Sequence, residues 1–293
     1  VVQPDGKVIL GGEFTGYNAV SRNRIARTDA VGGIDQTFDP GTGADNYVAA
    51  LGLYSLGPHR GKIIMGGSFS SVNGQSRFGI ARLNTNGTLD GSFRSGSGAN
   101  LPVRAVAIQN DGKVVIGGDF TLVDGTNRNH VARLNVDGSL DTTFDPGSGV
   151  NGPVYAVALS GAEPVAISQS GTGRHTNVID TTYPAGTLQL DCDFQTPANN
   201  LRVYYGPTLL VDSTFTQNQT FDLSFGGGPA ALRIVINEGL TNVSSNAWSY
   251  AGLIVPTGGS AAQVVIGGNF TLVNGIARSG VARLNDDGAV DPG

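Results

Sequence analysis

The chain has 293 residues, long enough for one large domain or two ordinary ones. Charged residues make up only 14% of it, against about a quarter in an average globular protein, and the net charge of −5 offers no basic stripe to displace counterions from phosphates, which argues against a nucleic-acid partner. No apolar run reaches the roughly 20 residues a membrane span needs, and the single Cys192 rules out an intrachain disulfide.

The sequence opens inside a repeat, at VVQPDGKVILGG, with neither an initiator Met nor a leader; the expectation is a mature or trimmed piece of something longer. Pro4-Asp5-Gly6 suits a three-residue hairpin loop with Gly in the left-handed position. Four glycine pairs follow in chain order, in KVILGGEF (Lys7 to Phe14), KIIMGGSF (Lys62 to Phe69), KVVIGGDF (Lys113 to Phe120) and QVVIGGNF (Gln263 to Phe270). Their leading glycines are Gly11, Gly66, Gly117 and Gly267, so the spacings are 55, 51 and 150 residues. A second signature trails each pair: RNRIARTDAVGGIDQTF, RFGIARLNTNGTLDGSF, RNHVARLNVDGSLDTTF and RSGVARLNDDGAVDPG. A unit near 50 residues built of short strands has the period of a propeller blade or a β-solenoid turn. In the third unit VRAVAI, KVVIGGDF, HVARLN and SLDTTF read as four successive strands, with turns at NDG and VDG. Glycine weakens a strand unless a backbone or an aromatic ring must come close, and Phe14, Phe69, Phe120 and Phe270 supply rings two residues on.

The loop length predicts a charge pairing. If Thr85, Asn86 and Gly87 form a three-residue loop, Asn84 faces Thr88 and Arg82 stands opposite Asp90. The same eight-residue step relates Arg27 to Asp35, Arg133 to Asp141 and Arg283 to Asp291. A second arginine precedes each first one by five residues: Arg22, Arg77, Arg128 and Arg278. The expectation is a structural ladder of cross-strand ion pairs, with an anion-binding ring as the alternative.

These residues carry a family resemblance. GG-x-F followed by R-x-x-x-(I/V)-A-R-L-N-x-(D/N)-G-(S/T)-L-D-x-(S/T)-F resembles the delta-60 repeat, also described as a bacterial β-propeller domain of unknown function, over about two thirds of the chain. The resemblance implies tandem arrays in large extracellular bacterial proteins, and it implies no catalytic residues.

The long last spacing has its own explanation. VYAVAL (Val154 to Leu159) matches VRAVAI as the leading strand of a fourth unit, yet its partner QVVIGGNF begins only at Gln263. A domain at 160–262 therefore occupies the first hairpin turn of that unit, a position that tolerates insertion because its two ends stay together. The repeats divide as 1–43 (lacking its leading strand), 44–98, 99–150, and 151–159 continued in 263–293. Within the insert, TLQLDCDF, LRVYYG, TLLVDSTF, QTFDLSF, ALRIVINEG and WSYAGLIVP alternate as strands. The fold class expected is all-β: β-propeller-type four-stranded repeats with an inserted jelly-roll-like β-sandwich.

Familiar sites fail on inspection. His59, His130 and His175 have no metal-like partner at short spacing, and the glycine run from Gly226 to Gly228 is followed by Pro229 rather than by a helix. Asp191 and Asp193 share one strand face with Cys192 on the other, which makes a structural Ca²⁺ the alternative to a solvated polar edge. Tyr204, Tyr205, Trp248 and Tyr250 are the aromatics available to a glycan, with a core role as the alternative for the lone Trp248. Asn218-Gln219-Thr220 and Asn242-Val243-Ser244 are acceptor sequons.

The functional expectation is a non-enzymatic structural or adhesive module of a bacterial extracellular or cell-surface protein, the repeats forming a scaffold that displays the sandwich. A carbohydrate-binding module of a secreted enzyme is the second reading, and a self-assembling filament joined at an open strand edge is the third. Partners would accordingly be surface glycans or other protein chains.

Overall fold

The structure is a computed structural model that describes residues 1–55, 57–160, 165–179, 185–194, 199–215, 219–227, 231–238, 247–257 and 263–292. Asn218 and the Asn242 sequon lie outside the described residues. The chain divides into two compact units, Val1–Ser160 with Ala262–Gly293, and Gly161–Ala261.

In the first unit each repeat contributes short antiparallel strands. The first holds β1 (Val8–Gly11), β2 (Gly16–Tyr17), β3 (Val20–Ser21) and β4 (Ile25–Thr28). The second holds β5 (Val48–Leu53), β6 (Ile63–Gly67), β7 (Ser71–Val72), β8 (Gln75–Ser76) and β9 (Ile80–Leu83), with a 3₁₀ turn at Gly57–His59. The third holds β10 (Val103–Ile108), β11 (Val114–Gly118), β12 (Leu122–Val123), β13 (Thr126–Asn127) and β14 (Val131–Leu134). The fourth opens with β15 (Val154–Ser160). Between its strands lie the eight of the second unit: β16 (Val165–Thr172), β17 (His175–Ile179), β18 (Ala185–Phe194), β19 (Asn199–Tyr205), β20 (Thr208–Phe215), β21 (Gln219–Gly226), β22 (Leu232–Ile236) and β23 (Ala247–Thr257). The fourth repeat resumes with β24 (Gln263–Gly268), β25 (Leu272–Val273), β26 (Ile276–Ala277) and β27 (Val281–Leu284).

Each complete repeat is a three-stranded sheet, β5-β6-β9, β10-β11-β14 and β15-β24-β27, plus a two-residue ribbon such as β12-β13. The expected fourth strand of the repeat is short: SLDTTF joins β14 at the bridge Leu134↔Leu140, flanked by Asn135 N donating to Ser139 O at 2.8 Å and Asp141 N to Arg133 O at 2.9 Å. Asp141 Oδ1 accepts the Thr143 amide at 3.0 Å and its hydroxyl at 2.6 Å, and this local turn bends the chain away before a strand extends. The ribbon is the reverse case. Its turns carry positive φ at both central residues, 49° and 70° at Asn73-Gly74, 48° and 72° at Asp124-Gly125, so Asn-Gly and Asp-Gly close tight primed hairpins.

The core lies between repeats rather than within them. Ile9 and Ile25 of the first repeat pack with Ile63, Met65, Ala81 and Leu83 of the second. Ile64 and Ile80 meet Val114, Ile116 and Ala132 in the same way, and Val115 and Val131 meet Val264, Ile266 and Ala282. Strands β4, β9 and β14 are consequently buried on both faces, whereas β27 alternates exposed and buried.

That stacking explains the glycine pairs. A Cβ at Gly66 would stand 2.8 Å from Val103 Cγ1, and one at Gly117 would stand 2.5 Å from Val154 Cγ1, in each case a leading-strand valine of the next repeat. The second glycine serves its own repeat. At Gly118 a Cβ would strike the Pro102 carbonyl and lie 3.1 Å from the Phe120 ring, where β10 shifts register against β11.

The second unit is a β-sandwich of two four-stranded sheets, β16-β23-β18-β21 and β17-β22-β19-β20. Its pairs are nested, β16 with β23, β17 with β22, β18 with β21 and β19 with β20, which is a jelly-roll winding. Alternate residues Leu188, Leu190, Cys192 and Phe194 of β18 enter a core shared with Leu201, Val203, Ile234 and Ile236 of the other sheet.

A Gly117→Val chain is expected to lose about 1–3 kcal/mol to overpacking at the joint between repeats, read from the urea midpoint. Gly267→Ala, whose Cβ would meet nothing nearer than Ala156 at 3.7 Å, is expected to stay within about 0.5 kcal/mol of the parent.

Candidate functional site

The densest chemistry in the repeats gathers on one aspartate per unit. The turn closes as its loop length requires: Asn84 N donates to Thr88 O at 2.8 Å and Asp90 N to Arg82 O at 2.8 Å, with Gly87 at φ +90°. Arg82 Nε then reaches Asp90 Oδ2 at 2.7 Å, as Arg27 reaches Asp35 at 2.9 Å, Arg133 reaches Asp141 at 2.7 Å and Arg283 reaches Asp291 at 2.7 Å. The same oxygen takes the repeat's lysine, Lys7 at 2.9 Å, Lys62 at 2.7 Å and Lys113 at 2.9 Å. In the fourth repeat Gln263 Nε2 donates there at 2.6 Å instead. The other oxygen accepts from Thr37, Ser92 or Thr143 through hydroxyl and amide.

The arginines of the first three repeats each do two further things. Its guanidinium lies over the phenylalanine that ends the signature, 4.9 Å from Phe38, 5.0 Å from Phe93 and 5.0 Å from Phe144. Its Nη1 crosses to the turn of the next repeat: Arg27 donates to Thr85 O at 2.7 Å, Arg82 to Val136 O at 2.6 Å, and Arg133 to an Asp286 carboxylate oxygen. The second arginine row donates to the carbonyl of its preceding residue, at 3.0 Å for Arg22, 2.7 Å for Arg77, 2.9 Å for Arg128 and 2.9 Å for Arg278. At 1% exposure the Arg82 side chain belongs to the joint between repeats. Hydrogen bonds from Thr37 and Lys7 hold the Asp35 carboxyl well below its ordinary 3.8, against the upward push of burial. Burial pushes Asp90 and Asp141 upward too, but the lysine, hydroxyl and arginine donors outweigh it and leave both well below that value.

His130 sits where the repeats need a left-handed residue. Its φ is +68°, with Arg24 at +64°, Gly79 at +70° and Gly280 at +73°. The position is conformational, which is why arginine, histidine and glycine all occur there.

In the sandwich the glycan-facing aromatics are corrected. Trp248 is 3% exposed, stacks on Tyr250 with ring centres 6.2 Å apart, and donates its indole N–H to Gly173 O at 2.9 Å. Tyr250 accepts from Asn177 at 2.9 Å, and Tyr205 packs on Phe225 at 4.7 Å, so these three rings fill the core and form no exposed platform. Apolar rings on the inward register of a sandwich strand are taken by the core first. Tyr204 alone points outward, half-buried, with Arg233 4.3 Å over its ring and its hydroxyl donating to Glu238 at 2.8 Å. Arg202 holds the same Glu238 at 3.2 Å and Asp212 at 3.1 Å.

Asp191 and Asp193 do share the outer face of β18, and Cys192 faces the core. Thr220 Oγ1 donates to Asp191 at 2.8 Å. The pair borders an open hollow of about 590 Å³ with Ser168, Ser170 and Ser249. Among the described residues no group of three or more His, Cys, Asp or Glu converges to hold a metal ion, and two carboxylates fall short of the six to eight oxygens Ca²⁺ takes.

Four segments, 3–38, 61–93, 109–144 and 263–293, match the family model described as a β-propeller domain of unknown function (DUF5122), which supports propeller-type repeats in the first unit. No curated protein matches the chain significantly. Among solved structures it is similar to the carbohydrate-binding module CBM36 in complex with calcium and xylotriose, at 9% identity over 34% of this chain and 93% of that one, with a TM-score of 0.20. It is also similar to the exo-β-1,3-galactanase of Phanerochaete chrysosporium with galactose (10% identity, 80% and 71% covered, TM-score 0.22). A third is a family 43 arabinoxylan arabinofuranohydrolase of Bacillus subtilis with cellotetraose (12% identity, 88% and 66% covered, TM-score 0.23). At such TM-scores these likenesses carry no argument about ligand.

Asp90→Asn leaves a buried guanidinium without its charge partner and is expected to cost about 3–5 kcal/mol, while Asp291→Asn, beside a 43% exposed Arg283, costs at most about 1 kcal/mol. The folded aspartates bind protons only below the value of 3.8 at which the unfolded chain does. Their stabilisation is thus complete above roughly pH 4 and lost as pH falls further; urea midpoints from pH 7 downward should stay flat and then drop, less steeply in Asp90→Asn.

Burial pushes the Cys192 thiol up to about 12, with Asp191 adding to it. Iodoacetamide at mildly alkaline pH should leave the native chain unlabelled and label it once urea opens the sandwich; labelling of the native chain at free-thiol rates contradicts the burial.

Proposed function

We propose that the chain is a non-enzymatic structural and adhesive module of a bacterial extracellular or cell-surface protein, in which repeats of the delta-60 kind form a scaffold and the 161–261 unit is the displayed element. The observation that carries this reading is where the second unit sits in the chain. Ser160 and Gln263 are paired neighbours on β15 and β24, and a complete eight-stranded sandwich runs between them, where the third repeat uses only Gln109–Lys113. The charged groups of the repeats support it as well, since Arg27, Arg82 and Arg133, anchored on their aspartates, donate to the next repeat. A turn-sized connection enlarged to a folded unit adds a surface without altering the scaffold.

The carbohydrate-binding reading remains second. It rests on the outer face of the β16-β23-β18-β21 sheet, where Ser168, Ser170, Asp191, Asp193 and Ser249 border the hollow with hydrogen-bonding groups. Hydroxyl and carboxylate groups in a concave surface suit a polyol, although no ring stacks there.

Microspheres coated with the chain are expected to adhere to bacterial cell surfaces, and to lose adhesion when 161–262 is replaced by the Gln109–Lys113 turn. Adhesion that survives the replacement removes the sandwich from the role. Affinity electrophoresis in soluble polysaccharides distinguishes the second reading, through retardation that Asp193→Ala abolishes.

A further inference from the structure

The repeats write one pattern, so a departure from it stands out against the sibling copies. The departure lies at the loop 94–98, between the second and third repeats, both of which have a neighbour on each side. Its counterparts at 39–43 and 145–149 are clamped twice. Asp39 Oδ1 accepts the Gly41 amide and Asp145 Oδ1 the Gly147 amide, both at 3.0 Å. Asn23 Nδ2 donates to the Thr42 carbonyl at 2.8 Å, and Asn129 Nδ2 to the Ser148 carbonyl at 2.9 Å. The second repeat has Arg94 in place of those aspartates and Phe78 in place of those asparagines, so it forms neither clamp. The loop keeps its shape all the same. Gly96 and Gly98 hold φ of +58° and +67°, against +64° and +71° at Gly41 and Gly43 and +64° and +73° at Gly147 and Gly149.

What the exchange supplies is an uncovered ring beside two arginines. Phe78 is 45% exposed, whereas Phe38, Phe69, Phe93, Phe120 and Phe144 are buried. Its Cβ lies 2.8 Å from the Cβ position of Gly98, which seats the ring against the loop. Arg94 is exposed, and Arg77 is half-buried with Nη1 on the Ser76 carbonyl at 2.7 Å. The third repeat shows these two positions approaching each other, Arg128 Nη1 standing 3.8 Å from Asp145 Oδ1. In the second repeat both are guanidinium groups, and among the described residues neither Arg77 nor Arg94 forms an ion pair. The carboxylate beside the loop is Asp124. Its Oδ1 accepts the Ser97 amide at 2.9 Å, the role that Asn73 and Asn274 fill for Thr42 and Ser148 at 3.1 Å. Over these three positions the second repeat carries two positive charges and one negative, where its siblings carry one of each.

We infer that this place binds a uronic acid residue of an acidic polysaccharide, its carboxylate held by Arg77 and Arg94 and its pyranose face laid on Phe78. A guanidinium fork matches a carboxylate, and an exposed ring offers an apolar face to the C–H groups of a sugar. The exposed Ser76 and Ser97 add hydroxyls at the rim. Two structural hydrogen bonds are given up for an exposed ring and an extra charge with no change of backbone, and a local rule broken without structural return marks a functional place. An acidic peptide fits less well, because it needs a free strand edge or a side-chain pocket. The backbone here is already engaged: Arg77 N and Gly79 N donate to the Ser70 and Phe69 carbonyls, and Phe78 O accepts from Ala99 N. The site belongs to the repeats rather than to the sandwich, so it goes beyond the display role and gives the scaffold a ligand of its own.

Affinity electrophoresis of the full chain through gels holding polygalacturonate or polymannuronate tests this. Retardation is expected in at least one of them, and none in fully methyl-esterified polygalacturonate, which keeps the sugar and removes the charge. Arg94→Asp and Phe78→Asn restore the residues of the sibling repeats, so both should fold with urea midpoints at or above the parent's, and each should raise the apparent dissociation constant by about tenfold or more. Asp124→Asn, again a sibling residue, removes the neighbouring carboxylate and should tighten binding. Absence of retardation in both uronate polymers overturns the proposal, and so does retention of the methyl ester. Equal retardation by poly-glutamate overturns it in favour of an acidic peptide, and retardation that Phe78→Asn leaves unchanged overturns it in favour of charge alone. Asp193→Ala in the sandwich should leave uronate binding intact, so failure of the display role and failure of this site are read separately.

Discussion

A guanidinium shut away from water must place its donors on protein, and much of this structure follows from how the first three repeats do so. Arg82 gives one N–H to Asp90, another to Ser92 Oγ and a third to the Val136 carbonyl of the next repeat, with its plane on Phe93. A buried charge pair alone adds little, since desolvation cancels much of the attraction. Here the carboxylate also takes an ammonium, a hydroxyl and an amide, so its lone pairs are satisfied and the cost of burial is offset. The arrangement gives direction as well as stability. One donor of each arginine belongs to the following repeat, so a repeat is complete only with a neighbour in place.

The apolar packing obeys the same logic. A three-stranded sheet of four- to six-residue strands cannot enclose a core, and its two faces are buried only when sheets stack. Stability in the first unit is therefore a property of the joints, and a substitution is felt where a joint lies. The sandwich is organised differently. Its nested strand pairs bring the beginning and end of 161–261 together around one core, so it holds its own apolar centre between Leu188, Leu201, Ile234 and Trp248.

For function the division matters. Trp248, Tyr250, Tyr205 and Phe225 are consumed by that core, while serine and aspartate remain on the outer face of one sheet. That face offers hydrogen-bonding groups from Ser168, Ser170, Asp191, Asp193 and Ser249.

The repeat period, the glycine pairs, the eight-residue step from arginine to aspartate and the strands of the sandwich from Thr187 onward were legible in the sequence, because each depends on local periodicity or on a turn of known length. So was the place where the second unit enters, since Val154–Leu159 and Gln263–Phe270 belong to one pattern. The β16 and β17 strands were not legible, because SQSGTGRHTNV has no clean alternation. Nor were the lysine on the aspartate, the phenylalanine under the guanidinium or the crossing to the next turn. The lysine lies 28 residues from Asp90 and the crossing carbonyl 54 from Arg82, and no local rule links such distances. Likewise, whether Trp248 meets solvent or core, and why Gly66 but not Gly267 is crowded, is decided only when sheet stacks on sheet. Local chemistry sets which strands and turns can form; burial and the satisfaction of buried charge are properties of the assembled neighbours, and only the tertiary structure supplies them.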